Sequence, residues 1–375
     1  MARDPMKDLN PLERAHATDA AGSTDAAGVA PKRVSMLDVA ALAGVSGQTV
    51  SRVVNGSPRV DPATRARVEE AMARLGYRPH RAARALRTGR THTIGLVATT
   101  LATVGNSRML QAVVEAATAR GYAVVVVTLD AASGIADAFA RLRDQGVDGA
   151  IVLNEATAVV RDALAPAGLA LVVVDSPVDD RFAVVQTDHA AGARAATEHL
   201  LGLGHATVWH LAGPETSFAA AERERGWRAA LVDAGIEVPP PVRGDWTAAS
   251  GFAAATQLPV DATAVFAAND QMALGALRAI TEAGRRVPED VSVVGFDDVT
   301  DAADYRPPLT TVRQDFDSLG AEALAALVVA IEGGDQPVVL LPAPLVVRAS
   351  TAPPPGQASA ARRASQPVRT ISSTE

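Results

Sequence analysis

The chain has 375 residues, of which 48% are hydrophobic, and its formal net charge is −7. This length and composition allow a large buried core and predict more than one domain. The absence of cysteine excludes disulfides and thiolate metal sites, and apolar runs such as Val124–Val127 are too short to cross a bilayer. We therefore expect a soluble cytoplasmic protein without a signal peptide.

Positive charge is concentrated near the N-terminus. Residues 32–90 hold twelve Lys and Arg residues against four acidic residues, a net charge of +8, so the rest of the chain carries −15. A basic segment on an acidic body is typical of a polyanion-binding head, although a merely solvated basic surface is the alternative. Residues 1–31 lack apolar periodicity and are predicted to be a disordered tail.

Three short helices are predicted within residues 32–78. A capping-box pattern at Ser35 precedes the first helix, which ends at Gly44. Ser46 caps a second helix, and Asp61 begins a third, which ends at Gly76. The predicted apolar stripe of the first helix consists of Leu37, Val39, Ala40 and Leu42. Two short helices joined by a Gly-containing turn, with a third that closes the core, predict a helix-turn-helix DNA-binding domain.

The polar face of the second helix has side chains that suit DNA reading. Glutamine pairs with adenine N6 and N7, and arginine pairs with guanine O6 and N7. Ser and Thr hydroxyls near a helix N-terminus suit phosphate contacts. The alternative is an ordinary polar face on a small helical bundle. The predicted DNA contacts of this domain are Ser46, Gln48, Thr49, Ser51, Arg52, Asn55 and Arg59.

Residues 79–91 are predicted to be a hinge helix and linker. Pro79 opens about two helical turns, which are marginal alone in water. The arginines of this stretch would repel one another unless DNA phosphates lay nearby. Its one large apolar side chain suits a wedge into a minor-groove base step. The predicted DNA contacts in this segment are Arg81, Arg84 and Leu86.

From residue 92 onward, short apolar strands alternate with helices that tend to end at glycine. The strand candidates are TIGLVA, YAVVVVT, DGAIVL, ALVVVD, ATVWHLA, TAVFAAN and VSVVGFD. This alternation predicts an α/β fold with doubly wound parallel sheets, and the length of residues 92–351 suggests two such units.

Polar side chains stand where several of these strands end. Open α/β sheets bind ligands beyond the C-terminal ends of their strands, although each such residue alone is more often a turn residue or a helix cap. Carboxylates, amides and one arginine bind hydroxyls, and an aromatic face suits the apolar side of a pyranose. The predicted sugar-like site consists of Asp175, Arg223, Trp246, Asn269, Asp297, Gln314 and Phe316.

These motifs together resemble the lactose-repressor (LacI/GalR) family of bacterial transcriptional regulators over roughly residues 33–351. The resemblance is carried by LDVAALAGVSGQTVSRVVNG in the head and by ANDQMALGALRAITEAG, VSVVGFDD and PPLTTVRQDF in the body. It implies a periplasmic-binding-protein-like body of two subdomains with a ligand cleft and several chain crossovers. It also implies that Gln48 and Arg52 read the major groove and that Leu86 is the hinge lever. Gly47 departs from the family, whose members usually carry a larger side chain there.

The resemblance implies a homodimeric repressor that a carbohydrate effector releases from a palindromic double-stranded DNA operator, with a galactoside as the first choice. Residues 92–351 would then bind the effector and dimerise. One alternative is a regulator that uses the sugar as co-repressor. Another is a sugar-binding or sugar-processing protein without operator-specific DNA binding.

No enzyme, cofactor or metal site is predicted. The sequence contains no G-x-S-x-G elbow, no Walker loop and no H-E-x-x-H spacing. Residues 352–375 contain four prolines and no leucine. We therefore predict that they form a disordered tail without the tetramerising leucine heptad known in the family.

Overall fold

The computed structural model describes residues 34–77, 89–129, 134–154 and 168–355. The chain divides into two compact units after Arg84. The predicted N-terminal tail, the predicted hinge contacts Arg81, Arg84 and Leu86, and residues 356–375 lie outside the described residues.

Residues 34–77, the described part of the N-terminal unit, form three helices. They are α1 (Met36–Ala43), α2 (Gly47–Val54) and α3 (Pro62–Leu75). The predicted capping box is present, since Asp38 Oδ2 accepts from the Ser35 backbone N–H at 2.7 Å and Ser35 Oγ accepts from the Asp38 backbone N–H at 3.3 Å. Gly44 and Gly76 end α1 and α3 in the left-handed conformation, with φ of +64° and +62°.

The core of this unit corrects one prediction. Leu37 and Leu42 were expected on the buried stripe of α1, but their side chains are 73% and 42% exposed. Because successive helical residues turn by about 100°, a residue two positions from a buried one lies on the opposite side. The helix instead buries a face that packs on α2 and α3. The core residues are Val39, Ala40, Ala43, Val50, Val53, Val68 and Ala71.

The described residues of the second unit form two six-stranded sheets. The first sheet is wholly parallel, in the order β11-β5-β4-β3-β1-β2. Its strands are β1 (Thr93–Ala98), β2 (Ala123–Thr128), β3 (Gly149–Leu153), β4 (Ala170–Val174), β5 (Ala183–Thr187) and β11 (Val338–Leu341). Helices α4 (Val104–Ala119) and α10 (Phe316–Ile331) pack on one face, and α5 (Ile135–Asp144) packs on the other. We call this sheet and its helices the first lobe.

The second sheet has the order β12-β10-β9-β8-β6-β7, and only β12 runs antiparallel to its neighbour. Its strands are β6 (Trp209–Ala212), β7 (Val242–Arg243), β8 (Ala264–Ala267), β9 (Ser292–Asp297), β10 (Thr310–Arg313) and β12 (Leu345–Val346). Helices α6 (His189–Gly202) and α7 (Phe218–Asp233) pack on one face, and α8 (Ala248–Ala255) and α9 (Asp270–Glu282) pack on the other. We call this sheet and its helices the second lobe.

The chain passes between the lobes three times, after β5, after β10 and after β11. The inner strands β3, β4 and β9 are buried and almost continuously apolar, which is typical of parallel strands covered by helices on both faces. The predicted doubly wound architecture is therefore confirmed. Within the described residues, no helix is both long and apolar enough to span a bilayer, and no three His, Asp or Glu side chains form a metal-binding group.

Candidate functional site

All seven residues of the predicted sugar-like site line one cavity between the two lobes. Two of them belong to the first lobe: Asp175, which follows β4, and Phe316, which begins α10. The other five come from the second lobe. The remaining lining residues, which the sequence analysis did not select, are Thr103, Gly105, Asn106, Asn154, Ser217 and Ala219.

The strand ends explain why these side chains meet. Asp175 directly follows β4, Asn269 stands two residues beyond β8, and Asp297 is the last residue of β9. Parallel strands end at the same edge of their sheet, so their terminal residues converge. Asn269 also caps α9, because its Oδ1 accepts from the Met272 backbone N–H at 2.9 Å.

The backbone is strained around this cavity. Among the described residues, six non-glycine residues have positive φ, and four of these line the cavity. The four are Asn154 (+44°), Asp175 (+51°), Trp246 (+74°) and Asp297 (+111°). Such conformations cost on the order of 1–3 kcal/mol each and cluster at functional sites. The positive φ angles therefore indicate that the surrounding fold keeps these four residues in place at a cost in backbone conformational energy.

Arg223 is the centre of the polar network. Its side chain is buried, and its guanidinium donates four hydrogen bonds to protein acceptors. Nη2 donates to Asp297 Oδ1 at 3.2 Å and to Gln314 Oε1 at 3.1 Å, while Nη1 donates to the carbonyl of Ala268. A guanidinium has five N–H groups, so these bonds leave one for a ligand. Arg223 therefore holds the acceptor groups of Asp297, Gln314 and Ala268 in place.

His189 links Arg223 to the first lobe, and the sequence analysis missed it. Its Nδ1 accepts from Arg223 Nε at 3.3 Å, so the ring carries its proton on Nε2. Nε2 lies 3.0 Å from Asp175 Oδ1, at an angle outside hydrogen-bonding geometry. His189 begins α6, directly after the first crossover between the lobes. Asp175, His189, Arg223 and Asp297 therefore form a continuous polar path across the cleft.

Burial shapes the electrostatics of the site. Burial raises the pKa of the Asp297 carboxyl above its ordinary value, and the adjacent Arg223 guanidinium opposes that rise. Arg223 also lies 3.7 Å above the centre of the Phe296 ring and 5.5 Å from that of Trp246. The cation is thus enclosed by carboxylates, amides and aromatic faces.

Trp246 forms an aromatic wall that rests on Gly213. A Cβ at Gly213 would lie 2.4 Å from the indole ring, so only glycine lets the ring take this position. Asn269 Nδ2 donates to the Trp246 carbonyl at 3.0 Å and fixes the backbone there. A flat aromatic face beside hydroxyl-binding groups suits a pyranose ring.

The predicted DNA contacts of the N-terminal unit differ in exposure. Gln48 and Arg52 are exposed and stand four residues apart on α2, so they share one face. Ser46 is committed to capping α2, because its Oγ accepts from the Thr49 backbone N–H at 3.2 Å. Thr49 and Ser51 are half-buried, and Asn55 and Arg59 are exposed.

Two families match segments of this chain. Residues 35–80 match the family described as "Bacterial regulatory proteins, lacI family". Residues 197–351 match the "Periplasmic binding protein-like domain".

Two relatives are similar over most of their length. The lactose operon repressor of Escherichia coli (strain K12) is 40% identical over 347 residues, covering 88% of this chain and 94% of the relative. The HTH-type transcriptional regulator CelR of Thermobifida fusca is 40% identical over 341 residues, covering 85% of this chain and 98% of the relative.

Solved structures show the same similarity. The lac repressor dimer bound to operator and the anti-inducer ONPF superposes with a TM-score of 0.76 at 39% identity, covering 86% of this chain and all of that one. The CelR–cellobiose complex gives a TM-score of 0.63 at 38% identity, covering 85% of this chain and all of that one. Both relatives are named as regulators of transcription, not as enzymes.

Proposed function

This chain belongs to the lacI family of bacterial regulatory proteins, and we propose that it is a homodimeric repressor that a sugar releases from a palindromic operator. A galactoside is our first choice of sugar. The single observation that carries the proposal is the cavity between the lobes, where Arg223, Asp175, Asp297, Asn269 and Gln314 stand beside the face of an indole ring. This donor and acceptor set fits the vicinal hydroxyls of a sugar.

The position of the cavity supports a switching role. A ligand that touches both lobes biases their arrangement only if it contacts the two arrangements differently. Asp175 presents a first-lobe contact, and Arg223 presents a second-lobe contact. Coupling of roughly 1–3 kcal/mol between sugar and operator sites would change operator affinity by roughly 5–150-fold. We propose that the empty protein binds DNA and that the loaded protein releases it.

A second choice of effector comes from the relatives. The lactose operon repressor and CelR are equally identical to this chain, at 40%, and the CelR structure contains cellobiose. The first lobe lines the cavity with polar side chains at Thr103, Asn106 and Asn154, and the second lobe contributes the aromatic ring of Trp246. A β-glucoside such as cellobiose is therefore our second candidate.

The DNA side of the proposal rests on the N-terminal unit. Helix-turn-helix heads read the major groove with the second helix, and two-fold dimers read two half-sites. Gln48 and Arg52 offer the exposed amide and guanidinium that read adenine and guanine. The lac repressor structure is named as a dimer bound to operator, which supports the same assembly for this chain.

The test selects operator DNA from a random duplex library with the purified full chain and then measures sugar binding by calorimetry. The sugar panel is lactose, methyl β-D-galactopyranoside, cellobiose and ribose. We expect an inverted-repeat operator and binding of a galactoside, or of cellobiose if the second candidate holds. A chain that selects no operator, or binds none of the four sugars, contradicts the proposal.

A further inference from the structure

Two asparagines stand in the first-lobe wall of the cavity. Asn106, in the first turn of α4, is 1% exposed. Its Nδ2 donates to the carbonyl of Thr100 at 2.9 Å. A carbonyl accepts but cannot donate, so this bond fixes which end of the Asn106 amide is nitrogen. Oδ1 of Asn106 therefore faces the other way and must act as an acceptor.

Asn154 completes the arrangement. It directly follows β3, and its Nδ2 donates to Oδ1 of Asn106. If the Asn154 amide were turned over, two carbonyl oxygens would face each other, which is repulsive. The orientation of Asn106 therefore dictates that of Asn154.

The consequence is a buried acceptor at the cavity wall. Within the described part of the chain, Oδ1 of Asn154 is buried and has no hydrogen-bond partner. Asn154 also has a φ of +44°, so its backbone holds this placement against strain. A buried polar atom without a partner is costly, and in native proteins it calls for a specific explanation.

We propose that Asn106 is a positioning residue that locks the Asn154 amide so that Oδ1 accepts a hydrogen bond from a ligand hydroxyl. The inference rests on the proposed function and deepens it, because it requires a donor at one point of the sugar. A fluorine or an ether oxygen at that point would meet an acceptor and be rejected. Sites built to bond a hydroxyl reject analogues that lack it, because the buried partner stays unpaired.

The experiment uses the full chain and two sugar series. Calorimetry measures binding of methyl β-D-galactopyranoside and methyl β-D-glucopyranoside, and of their deoxyfluoro analogues at C2, C3, C4 and C6. For the wild type, fluorine at the position that meets Asn154 should weaken binding by roughly 5–150-fold. Fluorine at positions that meet other side chains of the site should also weaken binding, and these serve as internal controls.

The decisive variant is Asn106→Ala, which frees the Asn154 amide to turn over and present its NH₂ group. One ring position should then lose its preference for hydroxyl over fluorine, while the other positions keep theirs. Asn106→Leu, which fills the same volume, is the second variant if alanine destabilises the lobe. Gln111→Ala, at an exposed position of the same helix, is the matched control.

The possible results distinguish a failure of the proposed function from a failure of the positioning role of Asn106. If the wild type binds neither series, the galactoside and glucoside proposals fail, and this inference fails with them. If the wild type binds but Asn106→Ala and Asn106→Leu keep the fluorine penalty at every position, the proposed function stands and the positioning role of Asn106 is overturned.

Discussion

Nη2 of Arg223 lies 3.2 Å from Oδ1 of Asp297, and both side chains are almost fully buried although 74 residues separate them in the chain. Breaking a buried ion pair from one side is costly, because the remaining charge loses its partner inside the protein. The pair joins α7 to the end of β9. The cleft of the second lobe is therefore organised before any ligand arrives.

Arg223→Lys is expected to weaken sugar binding by tenfold or more, which is roughly 1.4 kcal/mol or more, while the protein still folds. An ammonium group cannot reproduce the planar guanidinium that holds Asp297, Gln314 and Ala268 together. Calorimetry measures the affinity. Arg228→Lys, on the exposed side of the same helix, where it pairs with Glu224, is the matched control. Wild-type affinity in Arg223→Lys would show that Arg223 does not organise the site. Arg223→Ala, in contrast, would leave the buried Asp297 carboxylate unpaired and destabilise the lobe.

Gly213→Ala is expected to abolish sugar binding with little loss of fold. The added Cβ would lie 2.4 Å from the Trp246 ring and push it into the cavity. Tryptophan fluorescence during a sugar titration reports the change. Gly202→Ala, where a Cβ meets nothing within 4 Å, should behave like the wild type. Normal sugar affinity in Gly213→Ala would rule out Trp246 as a wall of the binding site.

Arg52→Ala is expected to weaken operator binding by roughly 1–3 kcal/mol and to relax the preference at one base pair, because a guanidinium reads guanine through two hydrogen bonds. A gel shift against single-base operator variants measures both effects. Arg74→Ala removes an exposed arginine from α3 and should leave base preference unchanged. Equal loss of affinity for every sequence in Arg52→Ala would assign Arg52 to phosphate contact instead.

His210 makes the second lobe sensitive to acid. Its ring is fully buried in β6, stacked on Phe266 at 4.7 Å, and burial lowers its pKa to about 4. The unfolded chain binds this proton near pH 6.5, so the neutral ring contributes stability that is present above that pH. This contribution is lost as the pH falls towards 4, by up to about 3 kcal/mol.

His210→Gln retains a donor for the Phe266 carbonyl, which His210 Nδ1 contacts at 2.9 Å, but it cannot be protonated. Urea unfolding between pH 7 and pH 4.5 should therefore show the stability difference between wild type and variant shifting steadily in favour of the variant. Parallel curves for the two proteins would exclude His210 as the source of the acid sensitivity.

Much of the second unit was predictable because its strands are continuous apolar runs bounded by glycine or aspartate. All seven strand candidates are strands in the structure. The strands that were missed carry weak signals for physical reasons. β5 reads AVVQT and ends in two polar residues, β7 and β12 have two residues each, β10 reads TTVR, and β11 lies at a sheet edge with alternating exposure.

The residues of the candidate site likewise include some that the sequence could predict and some that it could not. Residues at strand ends, such as Asp175 and Asp297, could be chosen from the chain, because the topology itself brings strand ends together. Asn154 carries the same signal after β3 and could have been found. His189 could not, because β5 before it was not recognised and its role depends on Arg223, 34 residues away. The prediction that Leu37 and Leu42 are buried was wrong, because periodicity shows that a helix has two faces but does not show which face its neighbours cover.

The most direct test of the account is a titration of lactose, and in parallel of cellobiose, against the full chain bound to its fluorescently labelled operator. We expect one of the two sugars to weaken operator binding by roughly 5–150-fold at saturation, and the same sugar to bind the free protein in the calorimeter. Tighter operator binding in the presence of sugar would reverse the sign of the switch and make the sugar a co-repressor. Operator binding that neither sugar changes would contradict the coupling between the cavity and the DNA-binding unit.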